Sequence, residues 1–333
     1  MEKKIDKSMY YSANNTLSRN RLFNFVVGPR GVGKTYGAKK RAMENWLRHG
    51  KQFIYLRRYQ TEMPQAEMKA FFADVGQEYP EFEWSVHNGV FRCDKDTIGW
   101  YFPLSKSQML KSVPFPKVDL IIFDEFIINT GVYHYLPNEV TTFLECYSTI
   151  SRDRDVQVLF LSNAVTFSNP YFIYFDLSLE PGQRIKMTKD ISLEYVESRV
   201  FNDHMSNTRF GRMIKGTRYG DYAIDNKVLL DTDIFVEKMT NPCSYVCTFV
   251  FDSVRAGFYR DNITGNYFLS ENVDGTCRYV MALSSEQHNT ETQLLSRSNL
   301  IFKTLFDSYA EGKLRFETQR LKSAASAVLK STL

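Results

Sequence analysis

The 333-residue chain is predicted to be α/β, with a larger first part on a mostly parallel sheet and a smaller α+β part behind it. Three observations predict this. A glycine-rich stretch, Gly28 to Thr35, lies between an apolar run (Phe23 to Val27) and a helix-like segment. Two continuous apolar runs, Val118 to Phe123 and Val156 to Leu161, have the texture of strands buried on both faces. Beyond about residue 200, alternation of strands and helices gives way to short strands with turn signals and then two helical segments.

Taken in order, residues 1 to 21 form a polar arm with Tyr10 and Tyr11, expected to pack on the first domain. Tyr36 to His49 has helical texture and stops at Gly50, the residue type favoured just past a helix end. Gln52 to Arg57 reads as a strand and Met63 to Val75 as a helix with Pro64 near its first turn. Asn88-Gly89 marks a hairpin between Phe82–His87 and Val90–Cys93, and Ile98 to Leu104 makes a third strand. After a proline-bounded loop, Ser105 to Lys117, comes the apolar strand that ends in Asp124-Glu125. Pro137 to Ile150 repeats Val140, Phe143, Leu144, Tyr147 and Ile150 at helical spacing, and the next strand ends in Ser162-Asn163. Thr208 to Gly220 reads as an irregular basic linker. Strands follow at Tyr245–Phe251, Gly257–Arg260, Tyr267–Leu269 and Arg278–Leu283, then helices at about Gln293–Tyr309 and Glu317–Leu329. The expected division is residues 1–200, a linker over 201–230, and a second domain over 231–333.

Composition excludes more than it assigns. Forty-two basic against 38 acidic residues leave a net charge of only +4, so any nucleic-acid surface must be local. The five cysteines are scattered, and Cys243-x-x-x-Cys247 lacks a second ligand pair, so reduced thiols are expected and a zinc site is not. The N-terminus has charge but no apolar stretch behind it, and no window approaches the roughly 18 apolar residues of a membrane span. A soluble intracellular protein without a membrane partner is the expectation.

Gly28-Pro29-Arg30-Gly31-Val32-Gly33-Lys34-Thr35 fits G-x-x-x-x-G-K-[ST], and it stands between a strand and a helix as a phosphate loop must. Its glycines let successive N–H groups face a phosphate, and the helix start adds partial positive charge. Lys34 is then expected to reach the β- and γ-phosphates of ATP, and the Thr35 hydroxyl to bind Mg²⁺. Asp124 is placed to hold the same Mg²⁺, and Glu125 to activate or orient the attacking water. The acidic pair favours hydrolysis over a bound-nucleotide switch. Asn163, with Ser162, is a candidate contact for the γ-phosphate or the water; the alternative is an ordinary capping or turn pair.

The helix after the Asp124 strand must run back across the sheet, so its end lies on the edge opposite its own phosphate loop. Arg152 and Arg154 there can reach a neighbouring subunit's nucleotide, as an arginine finger does; the alternative is that both complement the helix dipole. Arg30, Arg57 and Arg58 are further phosphate or interface candidates and Lys106, in the proline-bounded loop, a further candidate for action in trans, with ordinary surface charge as the alternative for each. Arg209, Arg212, Lys215 and Arg218 could track a nucleic-acid backbone or form a solvated face. Asp252 ends an apolar strand but has no convincing carboxylate partners, so nuclease activity is not expected.

Several strings carry a resemblance. Phe53-Ile54-Tyr55-Leu56-Arg57-Arg58-Tyr59, Ile122-Phe123-Asp124-Glu125-Phe126, Pro137-Asn138-Glu139-Val140, Leu161-Ser162-Asn163-Ala164-Val165, Asn169-Pro170-Tyr171-Phe172 and Thr208-Arg209-Phe210-Gly211-Arg212 together resemble the DNA-packaging ATPases of podophages related to phi29. The similarity runs from about residue 8 to about 320. It implies a P-loop NTPase domain of the additional-strand, catalytic-Glu class and a C-terminal domain with a degenerate, non-nuclease RNase H-like fold. It further implies a homomeric ring, a pentamer in that family, that docks on the portal of a procapsid in the host cytoplasm. Such a ring pumps double-stranded DNA inward, and some members dock through a packaging RNA. The alternatives are another ring translocase or helicase of the same class, or an assembly protein that binds nucleotide without turnover.

Overall fold

The computed structural model describes residues 10–110, 113–128, 135–163, 169–179, 183–196, 199–217, 235–251, 254–283, 287–296 and 298–332. Arg218 and Asp252 lie outside them. The chain divides into two compact units, Met1–Val165 with Leu179–Val228, and Thr166–Ser178 with Leu229–Leu333.

The first unit begins with α1 (Ala13–Leu17), β1 (Phe23–Val27), α2 (Lys34–His49), β2 (Gln52–Arg57) and α3 (Gln65–Lys69). The hairpin strands β3 (Trp84–His87), β4 (Val90–Cys93) and β5 (Asp96–Pro103) follow, then β6 (Val118–Asp124), α4 (Glu139–Ser151) and β7 (Gln157–Ser162). These strands join β8 (Ile185–Met187) and β9 (Ile191–Tyr195) in one nine-stranded sheet of order β3-β4-β5-β2-β6-β7-β1-β9-β8. Its centre is parallel: β7 lies between β1 and β6, in register Phe25↔Phe160 and Phe123↔Phe160. An extra strand in that position is the mark of the additional-strand class. It brings the ends of β1, β6 and β7 side by side at one sheet edge.

Packing follows the two-residue period of the strands. On one face Phe25 stacks on Phe160 at 4.2 Å, and Phe123 stacks on Phe143 of α4 at 5.8 Å. On the other, Val26, Ile122, Leu159 and Leu161 bury against Ala38, Ala42 and Met43 of α2. Removing a ring such as Phe160 from this core would cost about 3–5 kcal/mol. α2 runs longer than expected, starting at Lys34, and stops at Gly50 (φ 61°) as expected.

Three segments differ from the sequence reading. The helix expected over Met63–Val75 leaves helical geometry at Ala70 (φ −87°, ψ 9°), and Phe71 and Phe72 just beyond it are both buried in the core. β8 and β9 were not expected, yet β9 pairs in parallel with β1. Thr208–Gly220 is not irregular throughout: α6 (Arg199–Asn207), just before it, is followed by α7 (Arg209–Ile214), whose N-cap Thr208 accepts from the Gly211 N–H at 2.9 Å. Gly211 is no helix break there; a Cβ on it would lie 1.9 Å from the Met205 carbonyl.

In the second unit are α5 (Pro170–Tyr174), β10 (Cys243–Phe251), β11 (Val254–Asp261), β12 (Tyr267–Ser270), β13 (Val280–Ala282), β14 (Gln293–Leu294), α8 (Leu300–Ala310), β15 (Leu314–Phe316) and α9 (Gln319–Thr332). β12, β11 and β10 form an antiparallel meander, and β13 and β14 continue beside β10 in parallel. That order and those directions are the RNase H-like sheet; β15 adds an outer strand parallel to β12. Phe249, Phe251 and Phe258 bury against Leu305, Leu321 and Leu329. The helix expected over Gln293–Tyr309 is in fact a two-residue strand, β14, and then α8, started by the Asn299 side chain accepting from Ile301 N–H at 2.8 Å. All five cysteines are free thiols. Among the described residues no helix is long and apolar enough to cross a membrane.

Candidate nucleotide site

The loop between β1 and α2 has the conformation its glycines allow. Gly28 has φ 156°, and a Cβ there would lie 2.5 Å from the Val196 carbonyl oxygen, so a side chain at this turn is excluded. Tyr11 of the N-terminal arm donates its N–H to Val32 O at 2.8 Å, which ties the arm to the loop as expected. α2, 16 residues long, starts at Lys34 and points its N-terminal partial charge at the loop. Pro29 and Val32 are buried in the loop while Arg30 and Gly31 are exposed on it.

The side chains singled out from the sequence converge. The Lys34 ammonium donates to Gly28 O (2.9 Å), Pro29 O (2.8 Å) and Asn163 Oδ1 (3.0 Å). Asn163 Nδ2 donates in turn to Glu125 Oε1 at 2.7 Å. The Asn163 amide, with an acceptor oxygen and a donor nitrogen on one rigid plane, accepts from the ammonium and donates to the carboxylate at once. Thr35 Oγ1 donates to Asp124 at 3.2 Å. Lys34, Thr35, Asp124, Glu125 and Asn163 thus come from the start of α2 and the ends of β6 and β7 to one place.

Burial and charge set the protonation of this cluster. Burial pushes the Lys34 ammonium down to about 8, with Glu125 and Asp124 pulling it back up. Burial, reinforced by the neighbouring Asp124 carboxylate, pushes Glu125 above the ordinary carboxylate range; Arg57 and Lys34 oppose the rise. A carboxylate raised in this way is better matched to taking a proton from water near neutral pH. Glu125 adopts φ 57°, a left-handed conformation uncommon outside glycine and asparagine.

Other residues at the site were less visible in the sequence. Tyr55 of β2 donates its hydroxyl to Asp124 Oδ2 at 2.8 Å, and Arg57 sits 3.6 Å from the same oxygen. Together they fix the orientation of the carboxylate. Arg58 is neither a surface charge nor at the phosphate loop: its side chain is 1% exposed and pairs with Glu139. A cavity of about 550 Å³ beside the loop is lined by Tyr10, Tyr11, Tyr36, Lys40, Arg41 and Glu78, among others. Nothing in the spacing of those residues signalled it.

The two helix-end arginines separate cleanly. Arg154 donates to the carbonyls of Phe115 (2.7 Å), Val118 (2.5 Å), Pro116 (3.2 Å) and Ile150 (2.8 Å), so its guanidinium staples the start of β6 to the end of α4. Arg152 is exposed, with φ 53° at the helix C-cap. Six residues of β6 separate this end from Asp124, roughly 20 Å of strand. Lys106 is exposed on the 3-10 segment Leu104–Leu110.

Comparison with known proteins agrees with these features. The family model described as podovirus DNA encapsidation protein (Gp16) matches residues 5–333. The DNA packaging protein of Bacillus phage phi29 is 35% identical over 324 residues, 96% of this chain and 97% of that protein. The DNA packaging protein of Bacillus phage B103 is 36% identical over 317 residues, 94% and 98% of the two chains. Among solved structures, a chain of the bacteriophage Phi-29 viral genome packaging motor assembly superposes with TM-score 0.79 at 34% identity, covering 98% of this chain and all of that one. The N-terminal domain of the phi29 DNA packaging ATPase covers 58% of this chain and 99% of its own, with TM-score 0.55 at 39% identity.

Proposed function

We propose, since the chain belongs to the podovirus DNA encapsidation protein (Gp16) family, that it hydrolyses ATP to drive double-stranded DNA into a procapsid. The observation that carries this reading is the run of contacts from Lys34 through Asn163 to Glu125, set beside the Thr35–Asp124 pair. In it a phosphate-binding cation, an orienting amide and a raised carboxylate share one small volume.

Each residue then has a role. The backbone of Gly28 to Thr35 and the Lys34 ammonium bind the β- and γ-phosphates. Thr35 Oγ1 and Asp124 are hard oxygen donors 3.2 Å apart, which fits Mg²⁺, with Tyr55 and Arg57 holding the carboxylate in place. When bound, Mg²⁺ neutralises phosphate charge. Glu125 orients the attacking water and accepts its proton, and Asn163 holds Glu125 at a fixed distance from Lys34. The cavity lined by Tyr10 and Tyr36 is large enough for a base and ribose next to the loop. Arg152 acts in trans on a neighbouring subunit's γ-phosphate, while Arg154 is structural.

The reading includes a ring of identical subunits, a pentamer on the family's pattern. The ring is seated at the portal of the procapsid in the host cytoplasm, directly or through a packaging RNA. It predicts steady ATP turnover by the full chain that rises on adding duplex DNA of any sequence. That stimulation should fall steeply between roughly 50 and 200 mM salt, because phosphate contacts release counterions. Phosphate-release assays with duplex and single strands check it. Preference for single strands would favour a helicase instead, and absence of turnover an assembly protein.

A further inference from the structure

The Arg58–Glu139 pair is costly for a fold to keep. Both side chains are almost wholly buried, 1% and 0% exposed, and the pairing is bidentate: Arg58 Nε to Glu139 Oε2 at 2.7 Å and Nη2 to Oε1 at 2.9 Å. Two charges taken out of water recover little beyond their desolvation, and apolar side chains of similar volume often serve stability equally well. What an apolar pair cannot do is bind carbonyls. Arg58 Nη2 also donates to Phe126 O at 2.6 Å, and Nη1 reaches Glu125 O at 3.4 Å.

Those carbonyls belong to the turn that carries Glu125. The turn's N–H groups are engaged from the other side: Glu125 N–H donates to Asp124 Oδ1 at 3.1 Å, and Phe126 N–H to Leu161 O at 3.2 Å. Glu125 itself is held at φ 57°, a conformation that persists only where the surroundings over-determine it. Glu139, at the start of α4, is fixed in turn by the Leu136 N–H at 2.8 Å. The guanidinium lies 4.9 Å from the Tyr135 ring, which closes it off.

We propose that the buried Arg58–Glu139 pair is the positioning unit for Glu125: it holds both carbonyls of the left-handed turn and so fixes the carboxylate for hydrolysis, without taking part in nucleotide binding. The proposal rests on the reading of Glu125 as the residue that orients water. Loosening the turn shifts the carboxylate against its target, and displacements of about 1 Å cost on the order of 10²-fold in rate.

The test uses the full chain with the double substitution Arg58→Met, Glu139→Met, which keeps the volume and removes both charges. The single substitution Arg58→Lys is measured beside it. Lysine keeps the charge opposite Glu139, but its point-like ammonium cannot span the carboxylate and two carbonyls together. For each variant that melts as the wild type does, kcat is expected to fall by about 10²-fold, less for Arg58→Lys, with KM and ATP affinity unchanged. A folded variant that turns over at the wild-type rate overturns the proposal. So does a parallel loss of kcat and ATP affinity, which would mean that the whole site has collapsed. Glu125→Gln is assayed alongside: if it retains wild-type turnover the reading of Glu125 fails, whereas loss there with retention in the Arg58 variants sinks only the positioning role.

Discussion

Glu125→Gln is expected to bind ATP as the wild type does and to release phosphate about 10²–10⁴-fold more slowly. Glutamine keeps the shape, and its carbonyl oxygen still accepts from Asn163 Nδ2, the 2.7 Å contact that orients the carboxylate. What it lacks is a carboxylate able to take a proton, one whose proton affinity burial and the neighbouring Asp124 raise. Lys34 loses one of the two carboxylates that favour its charged form, yet the incoming triphosphate supplies more negative charge than was removed. Single-turnover phosphate release and equilibrium ATP binding, measured on the same preparation, check both halves. Turnover close to wild type would remove Glu125 from the chemistry.

Arg152→Ala is expected to lose about 10³–10⁵-fold in turnover, the range seen when an arginine finger is absent, while folding and ATP binding stay unchanged. Its own phosphate loop is at the other end of β6, so on the proposed reading the effect passes between subunits. Mixing this variant with Lys34→Ala subunits, which keep Arg152 but cannot handle nucleotide, should restore part of the activity. No restoration at any ratio would argue against action in trans. Arg154→Ala supplies the contrast: four carbonyls each lose a donor, and a fall in stability of about 2 kcal/mol is expected, read as a lower melting temperature.

Much of the first unit was legible because its signals are local. The phosphate loop, the apolar run of β6 and the acidic pair that ends it are each contiguous, and the order of elements placed their ends on one edge. Asn163 was legible for the same reason, as a polar residue that ends a buried strand. β8 and β9 were not, since Ile185–Met187 and Ile191–Tyr195 are short and half-exposed, with only Ser192 and Leu193 fully buried. β14 was lost inside a run whose leucines mimic a helical period, although only Gln293 and Leu294 pair.

The network behind the acidic pair was hidden by distance along the chain. Tyr55 meets Asp124 across 69 residues, and Arg58 meets Glu139 across 81. An arginine that ends a strand looks like a surface charge until its partner is known, and no local pattern announces a partner so far away. Arg152 and Arg154 are two residues apart and alike in sequence, but only one finds four carbonyls.

On the proposed function, the glycine loop and the acidic pair close around a single magnesium-bound triphosphate. A structure of the chain with a non-hydrolysable ATP analogue and Mg²⁺ tests it most directly. It should place the phosphates on the loop from Gly28 to Thr35, the metal at Thr35 with Asp124 beside it, and Glu125 facing the terminal phosphate. Phosphates bound away from Lys34, or a metal that leaves Asp124 and Thr35 without a role, would contradict it.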